Sequence, residues 1–449
     1  MDHPEQYKYH HITILGGGLA GLSAGYFAAK RNIPVTIFEA SSEMGGNCKT
    51  FQYKGFSFDS GAHRLHHGDP EINREIRNLL GDDIQKLDIP SNIYHAGKWI
   101  HFPLMPMNLL RNMGLKFVTN TALEILFSRL KSKQQLDNFQ EFALYKYGKS
   151  LSERFLLNYS EKLWGISCDR LSRDIAGKRL KGFYLKAFLW EAFFGSKASK
   201  HVEGIFYYPR YGIGQLIESM KAAFSSSETC HTNSAVTRIF HRENKIIAIE
   251  INDTERIETE EIVSTLPVNR FLTIMDPAVP EAVLKVALQL HYQNILLVAF
   301  IINKKFVTKV ATIYFPESAY PFTRIYEPKN RSPFMAPANM TSLVMEIPCS
   351  SDDVLWKMSK QEVVETVLGD LLQTGLITRN CIVDTTMHKL EYAYPVLELN
   401  YKHAISKINA YLSRFKNLAV SGRNAKFAYS WIHDEMQASK AIINGYRAQ

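Results

Sequence analysis

The sequence predicts a mixed α/β (α+β) fold: one unit around a parallel sheet, a second around antiparallel strands, and a helical insertion. Three observations predict it. Residues 12–38 read as strand, glycine turn, helix and strand. Short strand-like runs recur between residues 236 and 347, and from Asn108 to about Trp190 the apolar spacing is helical. At 449 residues the chain is long enough for about three domains and a large core.

Ile12, Ile14 and Leu15 form a short apolar run that ends at Gly16. Gly16, Gly18 and Gly21 then spell G-x-G-x-x-G, and Leu22–Lys30 reads as the helix after them. The first glycine permits the turn, the second lets backbone approach a diphosphate, and the third lets helix pack on strand. The helix N-terminus offers free N–H donors and the positive end of its dipole, with Leu19 and Ala20 in the turn before it also facing the diphosphate. Val35–Phe38 is the next strand, and Glu39 at its end is placed to hold a ribose through its hydroxyls. Strand, turn, helix, strand and terminal acid together predict a Rossmann-like dinucleotide site.

Downstream, Phe51–Tyr53 and Phe56–Phe58 read as strands around Lys54-Gly55, followed by the compact loop Asp59–His63 and a helix at Glu71–Leu80. Residues 93–103 read as a hairpin turning at Ala96-Gly97-Lys98. The helical stretch after Asn108 is broken near Gly148 and Gly165–Ser172. Strand character returns at Gly204–Pro209, with a helix at Gln215–Phe224. Val236–Phe240, Lys245–Ile251 and Glu261–Leu266 alternate like a small antiparallel unit. Leu296–Ile302, Thr312–Phe315 and Leu343–Ile347 suggest a second sheet, and Ser359–Thr374 a helix. Leu418–Ser421 is a strand ending in Gly422-Arg423-Asn424, before a last helix at about Ile432–Tyr446. The expected division is a discontinuous nucleotide domain over 1–80, 201–270 and 410–449, a sheet domain over 81–107 and 271–409, and a helical domain over 108–200.

Composition narrows the partners. Five scattered cysteines with no C-x-x-C pair argue against a disulfide framework or zinc site and suit a reducing, cytoplasmic setting. The His63, His66, His67 group lacks the carboxylate or cysteine complement of a metal site. A formal charge of +9 favours anionic ligands or surfaces. With no arginine-rich run or nucleic-acid motif, nucleic acid is not the expected partner. The N-terminal residues have no apolar h-region, and no run approaches the length of a spanning helix. Leu104–Lys133, rich in Leu, Met, Phe and Lys/Arg, reads as an amphipathic helical unit packed on its own protein, with contact at a membrane surface as the second reading. The oligomeric state stays open.

The second glycine turn separates the candidate dinucleotides. Glu39-Ala40-Ser41-Ser42-Glu43-Met44-Gly45-Gly46-Asn47 resembles the FAD-binding pattern of the amine oxidase and protoporphyrinogen oxidase superfamily, which includes UDP-galactopyranose mutase. Gly61-Ala62-His63 resembles that superfamily's flavin-ring loop, and Tyr208–Gly212 its Pro-x-x-Gly turn. Val236 falls at the adenine contact, Ser264–Pro267 resembles the strand under the cofactor, and Gly422-Arg423 resembles its C-terminal glycine loop. The resemblance implies FAD, with NADPH or NADH as its reductant.

Within the superfamily the chain most resembles the mutases. Their Gly-Gly-His loop stands here as Gly61-Ala62-His63, and Ala62 crowds a backbone that must approach the flavin. The Gly97–Pro103 hairpin and Glu161–Ile166 also match. Arg179, Tyr314 and Arg324 match residues that hold a substrate diphosphate, and Tyr394 resembles a further substrate-side tyrosine. The resemblance therefore implies a mutase that opens and recloses the ring of a sugar nucleotide with no net redox change, using reduced flavin. Two arginines and tyrosine hydroxyls would take up the departing diphosphate charge, and His63 would meet the flavin edge. Other readings of these residues stay open: a solvated face for Arg179, a neighbouring glutamate as partner of Arg324, half-buried aromatics for Tyr314 and Tyr394, and a plain loop histidine for His63. The alternative function is an FAD-dependent oxidoreductase acting on an amine or lipophilic carbon, and a third is a flavin-binding protein without turnover.

Overall fold

A computed structural model of the chain describes residues 11–66, 68–102, 104, 106–130, 136–177, 205–224 and 229–446. The fold is mixed α/β, as expected. Its first layer is a five-stranded parallel sheet in the spatial order Leu418–Val420, Glu261–Ser264, Ile12–Leu15, Val35–Phe38, Cys230–His231. Ile12–Leu15 is buried along its whole length, which matches an apolar run with no polar alternation. The expected grouping of Glu261–Leu266 with the antiparallel strands is incorrect. Ile262, Val263 and Ser264 are all buried, and the strand lies parallel to Ile12–Leu15 with Ile12 opposite Glu261. Covering both faces removes the alternation by which a half-buried antiparallel strand is recognised.

The first helix runs Leu19–Ala29, three residues earlier than the expected start at Leu22. Its small apolar sequence is buried from Ala20 to Ala28, and it packs against the C-terminal helix Ile432–Gly445. The two expected hairpins form at Lys54-Gly55 (φ 47° and 82°) and Ala96-Gly97 (φ 49° and 74°), the left-handed pair that a two-residue turn requires.

The second large layer is a seven-stranded sheet in the order Ile382–Pro395, Tyr292–Ile302, Thr341–Cys349, Arg324–Tyr326, Ile313–Tyr314, Ser91–His95, Lys98–Phe102. It is antiparallel except where Ile313–Tyr314 runs parallel to Ser91–His95. Helix Lys360–Gln373, started by a Ser359/Glu362 capping box, supplies apolar cover to one face. The register sets Tyr314 opposite Arg324, and Arg324 opposite Glu346.

A smaller sheet holds Glu255–Glu258, Lys245–Ile251, Val236–Arg242 and Met275–Asp276. The helical unit contains Pro106–Met113, Leu115–Leu130 and Phe139–Tyr147, then a run from Lys149 to Trp164 that widens to a π-helix over Ser152–Leu157. Among the described residues no helix is long and apolar enough to cross a membrane.

Candidate active site

A cavity of about 1190 Å³ runs from the parallel sheet to the seven-stranded sheet and the helical unit. At its first end two glycine turns face each other. Gly18 pairs with Gly45 across the turns, and a Cβ built on Gly46 (φ 54°) would stand 3.1 Å from the Gly18 Cα. Gly18 caps helix Leu19–Ala29 without any side-chain bond, so the first N–H groups, at Leu19 and Ala20, keep their donors at the cavity wall. Gly21 is not on the wall. A Cβ there would meet the Gly16 carbonyl at 2.0 Å, so this glycine lets the helix close onto the first turn. Gly21→Ala is therefore expected to push the helix off the turn and yield protein with little flavin absorbance per mole of chain.

Glu39, Ala40, Asn47, Val236, Gly422 and Arg423 also line this end. The Glu39 carboxylate accepts from the N–H groups of Gly17 (2.8 Å) and Ser41 (2.9 Å), which holds it rigidly at the strand end. Asn424 presents a buried side-chain oxygen with no protein donor. An uncapped helix start, apposed glycines and an unmatched acceptor are what an elongated diphosphate cofactor needs, so the residues present fit FAD.

Halfway along, the loop Gly61-Ala62-His63 meets the second sheet. Glu346, buried in the strand Thr341–Cys349, accepts from Arg324 Nε (2.5 Å) and from the Ala62 N–H (2.9 Å). Arg324 also donates through Nη2 to the Tyr394 hydroxyl at 3.0 Å. The open reading that pairs Arg324 with a glutamate thus describes the geometry, and the same guanidinium still lines the cavity beside Tyr314, Tyr394 and His63. Glu346 is absent from the residues expected at the site. A single acid inside the run LeuValMetGluIlePro is the available signal, because a buried carboxylate requires a cation or several donors.

His63 is half-buried at the wall. Enclosure pushes its imidazole down to about 3, with Arg423, Arg324 and Arg331 adding to the shift. It is therefore neutral at physiological pH. The unfolded chain protonates this histidine near its ordinary value while the folded chain does not, so the unfolded state binds more protons across that window. This contribution is present above the ordinary histidine value and is lost as pH falls toward 3. His63→Asn is expected to flatten the acid slope of a Tm-against-pH curve and to leave Tm above pH 7 nearly unchanged.

The far wall is apolar and aromatic. Phe155 and Leu156 come from the π-helical stretch, Tyr159, Leu163 and Trp164 from the next turns, and Phe139 and Ile175 from neighbouring elements. Trp164 lies edge-on to Tyr394, ring centroids 5.8 Å apart. Beneath this wall the Lys162 ammonium donates to the carbonyls of Phe315 (2.6 Å), Glu317 (2.7 Å), Tyr320 (2.9 Å) and Phe322 (3.0 Å). Burial pushes Lys162 down to about 7, with Glu317 pulling the other way. Lys162 is likewise absent from the expected site, and its mixed helix turn, AsnTyrSerGluLysLeuTrp, gives no local sign of it. Arg179 lies outside the described residues.

Strand Ile382–Pro395 contributes Lys389, Tyr392 and Tyr394 to the cavity. Its pairing with Tyr292–Ile302 slips between Gln293 and Ile295, and Tyr392 takes a left-handed backbone (φ 51°). The Tyr392 carbonyl accepts from the side-chain amides of both Asn47 (3.2 Å) and Asn424 (2.8 Å).

Parallel sheet, facing glycine turns and a neutral histidine loop above a second sheet define a flavoprotein. The family model for flavin containing amine oxidoreductase matches residues 19–397, and the chain belongs to that family. It is a flavoenzyme by family, and its cofactor is FAD. The chain is 24% identical over 155 residues to protoporphyrinogen oxidase 2, chloroplastic/mitochondrial, of Arabidopsis thaliana, covering 34% of this chain and 30% of that protein. It is 21% identical over 293 residues to 4,4'-diaponeurosporene oxygenase of Staphylococcus aureus, covering 59% and 58%. Both alignments span less than two thirds of the relative's length.

Among solved structures, reduced UDP-galactopyranose mutase superposes with a TM-score of 0.84 at 18% identity, over 97% of this chain and 95% of that one. A fatty acid isomerase from P. acnes gives 0.67 at 17%, over 97% and 98%, and a putrescine oxidase variant 0.66 at 15%, over 98% and 99%. At such identities these likenesses establish the fold and leave the substrate to the residues of the site.

Proposed function

We propose that this flavoenzyme acts in mutase fashion on a diphosphate-bearing substrate, a sugar nucleotide. The observation that carries the reading is the buried Arg324 guanidinium, oriented by Glu346 and Tyr394 and lining the same cavity as the His63 loop. Reduced FAD, with NADPH or NADH as its reductant, would supply the nucleophile for the anomeric carbon. The residues of the chain do the rest. Glu346 fixes the guanidinium plane, so its remaining N–H groups need no reorganisation to meet charge developing on a leaving diphosphate. Tyr314, opposite Arg324 in the sheet, and Tyr394 add neutral donors. Arg179 is proposed as the second clamp arginine. The neutral His63 positions the cofactor edge without adding charge, and the aromatic wall of Phe155, Tyr159 and Trp164 excludes water.

A second reading, an FAD-dependent oxidoreductase acting on an amine or lipophilic carbon, is favoured by the apolar side chains of Phe139, Phe155, Leu156, Leu163 and Ile175 on the cavity wall. One experiment separates the two. A panel of nucleotide diphosphates and sugar nucleotides is titrated into oxidised and reduced protein, and turnover is followed with and without an electron acceptor. The mutase reading expects tighter binding of one sugar nucleotide to reduced protein and turnover without acceptor. Acceptor consumed in proportion to product would assign the oxidoreductase reading instead.

A further inference from the structure

We infer that the outer face of helices Pro106–Met113 and Leu115–Leu130 is a docking surface for an anionic lipid bilayer. In the longer helix Phe117, Thr121 and Ile125 recur every four residues and are buried against the protein. At roughly 100° per residue, Leu115, Leu126, Leu123 and Phe127 fall within an arc of about 120° on the other side. They are 66%, 52%, 50% and 59% exposed, and Met107 on the preceding helix is 55% exposed. The helix is thus apolar on two sides, and its own protein covers only one of them. Clustered apolar side chains this open to solvent mark an interaction surface.

Charge decides the occupant. Over residues 104–130 the one acid is Glu124. Its carboxylate accepts from the Ser150 N–H and hydroxyl, both at 2.7 Å, and so is tied to the protein body. Arg111 and Lys116 are exposed, and among the described residues neither makes an ion pair. A twofold contact with a second copy would set these like charges, Lys116 within the apolar arc and Arg111 on the preceding helix, against their own copies. An anionic headgroup layer over hydrocarbon meets both features at once, opposite charge for lysine and arginine heads that reach up to it and an apolar phase at the depth of a leucine or phenylalanine side chain. The formal charge of +9 draws the whole molecule the same way.

The surface is also joined to the cavity. Phe117, on the inner side of the same helix, meets Phe155 edge-on with centroids 6.4 Å apart, and Phe155 lines the cavity. Docking would thus hold the apolar end of the site behind helix Leu115–Leu130, one helix diameter (~10 Å) from the bilayer, whichever substrate the flavin serves.

The test is sedimentation of the full-length, FAD-loaded chain with vesicles of phosphatidylcholine alone or mixed with phosphatidylglycerol, at low and high salt. The expected result is binding at least tenfold tighter to the mixed vesicles and weakened by salt. Leu123→Ser/Phe127→Ser should lose at least tenfold of that affinity while flavin content and Tm hold. Lys116→Glu should weaken binding to the anionic vesicles alone, and Leu115→Ser serves as a second apolar probe should the double variant fold poorly. Equal affinity for both vesicles, no binding to either, or unchanged binding by the apolar variants would overturn the inference. A dimer that dissociates in the double variant would assign the face to a second copy and overturn it as well.

Discussion

Replacing Arg324 with methionine is expected to cost about 3–5 kcal/mol of folding stability, because it leaves the Glu346 carboxylate buried without its cation. Denaturant unfolding of flavin-loaded protein measures this directly. The double variant Arg324→Met/Glu346→Gln removes both charges yet keeps an acceptor for the Ala62 N–H, so it should regain most of the loss. Sugar-nucleotide affinity should stay low in both variants if Arg324 is the diphosphate clamp. A double variant that recovers stability and affinity together would reduce Arg324 to a structural ion pair.

Lys162→Met is the second change expected to act strongly. It strips four backbone carbonyls of one shared donor, a loss of roughly 3 kcal/mol in stability. Functionally it matters more, because the turn those carbonyls shape runs from Phe315 to Phe322, between Tyr314 and Arg324. A displacement near 1 Å at such groups lowers turnover about 100-fold. The expected result is a fall of that order in kcat/KM with flavin content intact and, in the shorter Lys162→Ala variant, partial recovery with added methylammonium, which fits the vacated space and offers three N–H donors to the carbonyls. Rescue by the small amine is the readout that a merely loosened core would not show.

Much of the fold is legible in the sequence because its signals are local. The glycine fingerprint, the hairpin turns at Lys54-Gly55 and Ala96-Gly97, and the Ser359 cap each depend on a few adjacent residues. Strand Ile382–Pro395 is not legible, although it runs fourteen residues and carries Tyr394. Its stretch AspThrThrMetHisLysLeuGlu has mixed exposure, so neither alternation nor an apolar run announces it. Glu261–Ser264 reads correctly as a strand but in the wrong sheet, since pairing direction depends on what covers its faces. The site divides in the same way. Glycines declare themselves through the backbone they permit, while Tyr314, Arg324 and Tyr394 stand out only by resemblance. Glu346 and Lys162 act through partners 22 and more than 150 residues away in the chain, and no local pattern encodes such pairings.

The slipped register at Tyr392 has a thermodynamic side. One carbonyl of the second sheet holds Asn47 from the second glycine turn and Asn424 from the C-terminal loop, two walls of the cavity's first end that come from opposite ends of the chain. Two residues further along the same strand, Tyr394 touches Arg324. The two ends of the cavity thus share a single strand, and any coupling between ligands bound at them would be reciprocal. A ligand that binds reduced protein tenfold more tightly must raise the flavin's preference for its reduced state by the same factor. Such a ligand would set part of the flavin's electron affinity, and the stretch from Tyr392 to Tyr394 is the direct physical link between the two ends.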